Sequence, residues 1–282
     1  MALHLYLSPH LDDAVLSCGG LIYRQVRAGD TVRVLTVFAG DPPPGAHSPF
    51  ADELRARWRG VADPVGLRRA EDQAALERLG ATPVHWEYPD CVFRRDPASG
   101  ASYYPDRNAI FGDVHPAERT AVVEALAARL QGYCDRERPQ AVYSLLTAGH
   151  HVDHQLLQWA SRRLAGSWAL RFYEDYPYVE DPERVQAALQ ATGDHWQAEL
   201  EPLSEDALQA KIEAIACYRS QLSSLFAEGT MPQRVGAYAR SHTPVSFARG
   251  LRRWRWRCAP RGSWRPFSAM PSSSGPCSSA WS

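Results

Sequence analysis

The chain has 282 residues, of which 45% are hydrophobic, and a formal net charge of −1, as expected for one large globular domain with or without a small appendage. This near-neutral balance gives no overall electrostatic attraction to nucleic acid or anionic lipid, so we expect a small-molecule partner. No run of about 18 apolar residues and no signal-peptide pattern occur, which predicts no membrane span and a cytoplasmic location. The six cysteines form no C-x-x-C pair, which argues against a disulfide scaffold and a thiolate zinc site.

The first predicted element is a strand over residues 2–7, where leucines alternate with other residues. The apolar spacing then changes to that of a helix, which ends near Gly29. Strands and helices continue to alternate: strands are predicted over 31–38, 82–88, 141–146 and 169–173, and helices over 15–26, 68–79, 116–130 and 154–164. This alternation predicts an α/β fold with a mostly parallel sheet, helices on both faces and functional residues at the carboxyl ends of the strands.

Two regions depart from this alternation. The connections over residues 40–67 and 90–116 are long and rich in Gly, Pro, Asp and Arg, which is typical of functional rims or lids. Residues 229–282 contain no Asp or Glu. We therefore predict a main domain over residues 1–240 and an atypical, disordered Arg/Trp/Ser/Pro-rich tail over 241–282. Contact of this tail with nucleic acid or a membrane surface is the alternative, and translation out of the ancestral frame is a proposed origin of the tail.

A polar cluster, Ser8-Pro9-His10-Leu11-Asp12-Asp13, directly follows the first predicted strand. Zinc binds imidazole nitrogen and carboxylate oxygen at about 2.0–2.2 Å, and catalytic zinc sites combine three protein ligands with an open position for water. His10 and Asp13 are therefore candidate metal ligands. Taken alone, however, the two aspartates are more typical of a helix N-terminus, where a carboxylate caps the first turn.

A second cluster, His150-His151-Val152-Asp153-His154, lies between a predicted strand and a predicted helix. Alone, it could be a polar loop. Because two strand ends of one parallel sheet can bring distant segments into one crevice, His154 can complete a three-ligand site with His10 and Asp13. Asp153 is then a candidate for orienting a ligand imidazole.

Two more residues in these clusters suit proton transfer. Asp12 adjoins a candidate ligand but would point in a different direction, which suits a general base acting on water. His151 can donate a hydrogen bond to a developing oxyanion or protonate a leaving nitrogen; a surface histidine is the alternative. Nitrogen and carboxylate ligands fit Zn²⁺ and also other divalent metals such as Fe²⁺.

These motifs resemble those of the PIG-L/LmbE-like family of zinc-dependent N-acetylglucosaminide deacetylases. Pro9-His10-Leu11-Asp12-Asp13 matches the family's P-H-x-D-D motif, and His151-Val152-Asp153-His154 matches H-x-D-H. Shorter matches follow at residues 68–71, 88–90, 172–178 and 218–221, so the resemblance covers about residues 1–240. It implies a Rossmann-like three-layer sandwich with a mostly parallel sheet, and a deacetylase domain over residues 1–240.

The resemblance also implies roles for individual residues. The positions that match the family's zinc ligands are His10, Asp13 and His154. Asp12 falls on the general base, and His151 falls on the histidine that stabilises the tetrahedral intermediate.

Family substrates are N-acetylated amino sugars carried on larger molecules, so we expect an N-acetyl amino sugar or glycoconjugate as substrate. Arg68 and Asp90 fall where the family has substrate-side polar residues. A helix-surface ion pair and a turn carboxylate are their respective alternatives. The segment Tyr173-Glu174-Asp175 is expected to be structural rather than catalytic.

The expected reaction is metal-dependent hydrolysis of an N-acetyl group, which releases acetate and a free amine. The same ligands also suit a metal-dependent phosphoesterase or another amidohydrolase, because ligand chemistry alone does not exclude phosphate. A non-enzymatic sugar-binding module is a third class. Cys18-Gly19-Gly20 is not a G-x-G-x-x-G motif, so a dinucleotide cofactor has little support, and the intact Asp12 favours an enzyme.

Overall fold

The structure, a computed structural model, describes residues 1–45, 47–57, 61–193, 196–241, 245–249, 257–258 and 264–265. Its centre is a sheet of seven strands: β1 (Leu3–Ser8), β2 (Thr31–Thr36), β3 (Thr82–His85), β4 (Ala141–Leu145), β5 (Leu170–Tyr173), β6 (Trp196–Leu200) and β7 (Val245–Arg249). Their spatial order is β3-β2-β1-β4-β5-β7-β6. The first five strands are parallel, and β7 runs antiparallel to β5 and β6. The predicted α/β class with a mostly parallel sheet is confirmed.

Helices connect and flank the strands. They are α1 (Asp13–Arg27), α2 (Pro49–Arg57), α3 (Pro64–Leu79), α4 (Arg107–Ile110), α5 (Pro116–Arg119), α6 (Ala121–Glu137), α7 (Val152–Arg162), α8 (Pro182–Ala191), α9 (Glu205–Ile215), α10 (Leu222–Leu225) and α11 (Met231–Ser241). Helices α1, α3 and α9 pack on one another, and α6 packs on α7. The two helix groups and the sheet form the three predicted layers.

The central strands are apolar because both of their faces are covered. Leu5, Tyr6 and Leu7 of β1 are fully buried, and all five residues of β4 are buried. Continuous apolar runs of this kind are typical of parallel strands between two helical layers. The hydrophobic core therefore lies on both sides of β1 and β4.

The order in which the strands are added to the sheet reverses between β1 and β4. From β1 the chain proceeds to β2 and then β3 on one side, whereas β5 lies on the other side of β4. Such a switch point leaves a crevice beyond the carboxyl ends of the two adjacent strands, which is where ligands bind in open α/β sheets. Both polar clusters of the sequence, at residues 8–13 and 150–154, follow these strand ends.

Several element boundaries differ from the predictions. Helix α3 begins at Pro64 rather than at residue 68, because Asp63 caps it by accepting a hydrogen bond from the Gly66 amide at 2.7 Å. The helix predicted over 116–130 is divided into α5 and α6, and the strand predicted over 82–88 ends at His85. Among the described residues, none of the helices has both the length and the apolar character needed to cross a membrane.

The sheet extends past residue 240, the predicted end of the main domain. Strand β7 belongs to the segment predicted as a disordered tail, yet it pairs with β5 and β6, and Phe247 is buried. Two further short strands, β8 (Arg257–Cys258) and β9 (Trp264–Arg265), pair antiparallel with each other. The remainder of the predicted tail lies outside the described residues.

Candidate active site

The turn after β1 presents the first polar cluster. The Asp13 carboxylate accepts a hydrogen bond from the His10 amide at 2.9 Å, and the Ser8 hydroxyl donates to the His10 carbonyl at 2.7 Å. Asp12 has a φ of 151°, which is rare for a residue other than glycine and marks local backbone strain. It occupies the N-cap position of α1, but its side chain makes no capping hydrogen bond. The carboxylate is therefore not used as a helix cap.

The turn after β4 brings the second cluster to the first. His154 lies in the first turn of α7, and its Nε2 is 3.3 Å from Oδ2 of Asp13. The same oxygen is 3.3 Å from Nδ1 of His10. One carboxylate oxygen thus lies between nitrogens of two imidazole rings, so the three predicted ligands are brought together.

Each of these imidazoles has a second carboxylate near its other nitrogen. His10 Nε2 is 2.9 Å from Oδ2 of the fully buried Asp153, and His154 Nδ1 is 3.7 Å from Oδ2 of Asp175. Asp175 also accepts hydrogen bonds from the amides of Ala148 and Gly149, at 2.9 and 3.3 Å. A carboxylate behind an imidazole is the usual arrangement around metal-binding histidines, because it fixes the orientation of the ring.

The charges of the cluster favour a cation. Burial lowers the pKa of His154, but the Asp13 carboxylate outweighs this effect and raises that pKa to about 9. Burial raises the pKa of Asp13, but the positive charge of His154 and the hydrogen bond from His10 hold it well below its usual range. Positive charge is therefore stabilised where the two imidazoles meet Asp13.

Three further groupings among the described residues place possible ligand atoms close together. His10, His151 and His154 offer nitrogens within 4.8 Å of one another, as do the ligand atoms of Cys91, His151 and Asp153. The third grouping consists of His10, Asp90 and Asp153. All of these groups surround the same crevice, so they are alternative ligand sets for one site rather than separate sites.

Asp12 lies beside the cluster without joining its hydrogen bonds. Burial and the adjacent Asp13 charge raise its pKa to about 7, against the lowering effects of Arg68 and His10. Arg68 Nη2 is 3.8 Å from Oδ2 of Asp12 and donates to the Leu11 carbonyl at 3.4 Å. With 8% of its surface exposed, Arg68 is buried and does not form a helix-surface ion pair.

His151 is also buried, which excludes the surface-histidine interpretation. Its Nδ1 accepts a hydrogen bond from the Asp153 amide at 3.3 Å and so caps α7. Burial, together with the positive charges of His10 and His154, holds its pKa well below the usual value. A neutral His151 that accepts at Nδ1 carries its proton on Nε2, which makes this nitrogen a hydrogen-bond donor.

A cleft of about 1010 Å³ opens above these residues. Asp90 lies on its wall, with Oδ2 3.7 Å from His10 Nε2, and also accepts a hydrogen bond from the Val92 amide at 3.2 Å. Asp90 is thus a turn carboxylate that faces the cluster. All seven residues predicted for the site line this one cleft: His10, Asp12, Asp13, Arg68, Asp90, His151 and His154.

Several other lining residues were not predicted. Phe111, Tyr178 and Gln221 line the cleft from three separate segments, and Arg94 lies behind it, 2.6 Å from Asp153. Tyr178 and Gln221 lie in segments that match the family, but no site role was predicted for them. Phe111 and Arg94 lie in the long connection over residues 90–116, where single aromatic or polar residues carry no signal of their own. Only the tertiary fold brings them to the cluster.

Comparison with known proteins assigns the chain to a family. The profile of the PIG-L family, described as GlcNAc-PI de-N-acetylase, matches residues 5–165, a stretch that includes both strand-end turns. The chain belongs to the PIG-L family.

Two relatives are each named 2'-N-acetylparomamine deacetylase. The protein of Niallia circulans is 29% identical over 239 residues, which cover 79% of this chain and 82% of the relative. The protein of Streptomyces fradiae is 32% identical over 187 residues, which cover 64% of this chain and 59% of the relative.

Solved structures share the fold. The zinc-inhibited form of a teicoplanin deacetylase has a TM-score of 0.74 at 26% identity and covers 88% of this chain and 99% of its own. The deacetylase of the A40926 pseudoaglycone has a TM-score of 0.67 at 26% identity, with coverages of 87% and 96%. A 4-carboxy-2-hydroxymuconate hydratase from Pseudomonas putida, with 17% identity and a TM-score of 0.51, has the same fold but catalyses a different reaction. The reaction must therefore be argued from the site.

Proposed function

We propose that this protein is a zinc-dependent N-deacetylase that hydrolyses the N-acetyl group of an amino sugar or glycoconjugate. The observation that carries this proposal is the position of Asp13 Oδ2, which is 3.3 Å from Nδ1 of His10 and 3.3 Å from Nε2 of His154. The buried carboxylate of Asp12 lies beside this group. Two imidazoles and one carboxylate, open to a cleft, match the ligand set of catalytic zinc sites; Fe²⁺ suits the same donors.

Donor chemistry favours these three ligands over the other groupings. Burial raises the pKa of the Cys91 thiol well above its usual value, so the thiolate that zinc requires is disfavoured. The oxygens of Asp153 already contact Arg94, His10 and the Cys91 amide. His151 accepts a hydrogen bond at Nδ1 and carries a proton on Nε2, so it offers the site a donor rather than a lone pair.

A divalent metal held by these ligands would polarise the amide carbonyl and make water more acidic. Asp12 accepts a proton from the attacking water, whose oxygen adds to the carbonyl carbon. Its pKa, raised to about 7, suits a general base near neutral pH. A metal cation bound nearby would lower this pKa and keep the carboxylate ionised.

His151 completes the reaction as a donor. Its Nε2–H stabilises the carbonyl oxygen as that oxygen becomes negatively charged. The carbon–nitrogen bond then breaks, and the proton held by Asp12 passes to the departing nitrogen. The first products are acetic acid and the free amine. The acid then ionises to acetate and its proton is taken up by the amine, so atoms and charges balance.

Substrate recognition is assigned to the residues around these groups. Arg68 and Asp90 offer a charged donor and a charged acceptor to sugar hydroxyls. The relatives support an amino-sugar substrate: two are named 2'-N-acetylparomamine deacetylase, and a solved structure is named as a teicoplanin deacetylase.

The first experiment is an acetate-release screen over N-acetylglucosaminides, run beside metal analysis of the purified protein and a parallel phosphoester assay. Acetate release without phosphate release supports the proposal. Phosphate release alone would establish the phosphoesterase alternative, and sugar binding without either product would establish the binding module.

The second experiment tests the ligand assignment. We expect His154→Ala to lose bound zinc and deacetylation together. His150→Asn is a matched control, because His150 lies in the same turn, its side chain is 58% exposed, and asparagine tolerates its φ of 57°. Unchanged zinc content and activity in His154→Ala would refute the assignment.

A further inference from the structure

A chain of buried charges extends from His10 away from the cleft. Arg94 Nη1 is 2.6 Å from Oδ1 of Asp153, the residue whose other oxygen contacts His10 Nε2. On its far side, Arg94 donates to both oxygens of Glu118, at 2.6 and 3.2 Å. The Tyr104 hydroxyl donates to the same carboxylate at 2.7 Å.

Aromatic rings hold the guanidinium of Arg94 in this position. Its central carbon lies 5.1 Å from the centre of the Phe38 ring and 5.5 Å from that of Tyr104, within the range of cation–π attraction. Arg94 also donates to the Pro89 carbonyl at 3.2 Å. The Tyr104 hydroxyl in turn accepts a hydrogen bond from the His115 amide at 3.0 Å. The guanidinium is thus restrained on its faces and on its edge.

This restraint passes to His10 through Asp153. Arg94 forms an ion pair with Oδ1, and the other oxygen, Oδ2, faces His10 Nε2 and the Cys91 amide. The contact at Nε2 fixes the rotation of the His10 ring, which turns Nδ1 toward Asp13. If the Asp153 carboxylate rotated so that Oδ2 no longer contacted His10 Nε2, the orientation of the His10 ring would no longer be fixed.

Stability alone is a weak reason for such a chain. Buried ion pairs carry a desolvation penalty that often offsets their attraction, and apolar residues of similar volume frequently replace them without loss of stability. Here the side chains of Arg94, Glu118 and Asp153 are only 10%, 5% and 0% exposed. The last member of this chain, Asp153, contacts a ring nitrogen of His10, a proposed metal ligand. A role at the metal site therefore explains the chain better than stability does.

We propose that Arg94 is a positioning residue for the metal site: held by Glu118 and Tyr104, it orients Asp153, which in turn orients His10. This inference rests on the metal ligands proposed above. It also gives the long connection over residues 90–116 a role, because Arg94 and Tyr104 belong to it and Glu118 directly follows it in α5.

The test is zinc affinity of the full-length chain, measured after metal removal by competition with a chromophoric chelator. We expect Arg94→Met to weaken zinc binding about 10- to 100-fold, the usual effect of losing an outer partner of a ligand. Arg94→Lys should have an intermediate effect, because one ammonium group cannot contact Asp153 and both oxygens of Glu118 at the same time. Glu118→Gln should weaken binding less than Arg94→Met.

Arg163 and Glu124 supply matched controls. They form an Arg–Glu pair of 2.7 Å on the surface, with side chains 63% and 58% exposed. Arg163→Met and Glu124→Gln should leave zinc affinity unchanged. The visible spectrum of the Co²⁺-loaded protein provides a second readout, because it changes with ligand geometry and not with stability; the Arg94 variants should alter it and the controls should not.

The inference is overturned if the folded Arg94 and Glu118 variants bind zinc within about twofold of the parent and give the parent Co²⁺ spectrum. If Arg94→Met does not fold, Arg94→Lys and Glu118→Gln decide by the same criteria. A lower melting temperature of the metal-free protein with unchanged zinc affinity would show a purely structural role. Absence of acetate release would instead count against the proposed function, because the zinc titration does not depend on turnover.

Discussion

The two turns after β1 and β4 differ from the rim of the cleft in backbone conformation as well as in chemistry. Asp12, Thr147 and His150 have φ values of 151°, 70° and 57°, and all three lie in the turns. The turns also contain several buried charged or titratable side chains within a few residues. Strained backbone and buried charge are both unfavourable for folding, so their coincidence indicates that the turns serve chemistry.

The rim is built in a more ordinary way. It consists of side chains from α2, α4, α10 and the loop before α8, and Phe111 and Tyr178, for example, are half-buried. None of the described residues of the rim other than glycine has a positive φ. The comparison implies that the turns serve metal binding and catalysis, whereas the rim serves substrate binding. Variants in the turns should therefore change the metal content or kcat, and variants in the rim should mainly change KM.

The largest effect is expected for Asp12→Asn. Asparagine has the same shape as aspartate and replaces it with the least disturbance of the turn, but it cannot accept a proton, so kcat should fall about 10²- to 10⁴-fold. Zinc content should equal that of the parent, because Asp12 is not a proposed ligand. Loss of zinc in this variant would place Asp12 among the ligands and remove the distinction between the two adjacent aspartates.

A somewhat smaller loss is expected for His151→Asn. The asparagine oxygen can still cap α7 by accepting from the Asp153 amide, so the fold of the turn is preserved. The donor at Nε2 is lost, which should reduce kcat about 10²- to 10³-fold with zinc retained. An unchanged kcat would show that His151 serves only as the helix cap.

The turns could be predicted from the sequence because each motif is local. The strand that precedes each motif fixes the position of that motif. The strand order of the sheet, in which β1 and β4 are neighbours, then brings the two strand ends together. The start of α3 also had a local signal, Asp63 followed by Pro64, which is typical of an N-cap and first helical position. It lay inside a segment interpreted as one long loop, and the helix was therefore predicted four residues late.

The Arg94 chain and most of the rim could not be predicted, because tertiary contacts alone create them; Tyr178 and Gln221 lay in segments that match the family, but the sequence did not show that they line the site. Arg94 and Glu118 are 24 residues apart and meet only when the long connection folds back. Strand β7 lies within the segment that has no acidic residues, and the prediction of a disordered tail rested on that composition rather than on the residue pattern around Phe247. Pairing with β5 and β6 is a non-local property that no window of the sequence displays.

In the rim, we expect Phe111→Ala to raise KM about fivefold with unchanged zinc content and a smaller fall in kcat, because its ring also packs edge-on against His151 with ring centres 5.3 Å apart. Removing partial contact between an aromatic ring and a sugar loses about 1 kcal/mol of binding. Tyr103→Ala is the control: Tyr103 lies in the same long connection, stacked on His115 with ring centres 4.3 Å apart, and it does not line the cleft. A fall in kcat without a change in KM would contradict the division between turns and rim.

Arg68 tests the border between the two regions, because it reaches the cleft from α3 but lies 3.8 Å from Asp12. Its positive charge lowers the pKa of Asp12, so Arg68→Met should raise that pKa. A general base acts when deprotonated, so the acid limb of the kcat/KM profile should move to higher pH, by about one unit for charges this close in a solvated cleft. Activity should be lost on the acid side and kept on the alkaline side.

Arg69→Met is the control. It disrupts the 2.8 Å pair of Arg69 with Asp41 and the contact with the Ala39 carbonyl, and it should leave the acid limb in place. If Arg68→Met instead raises KM at every pH without moving the limb, Arg68 acts on the substrate alone and belongs to the rim.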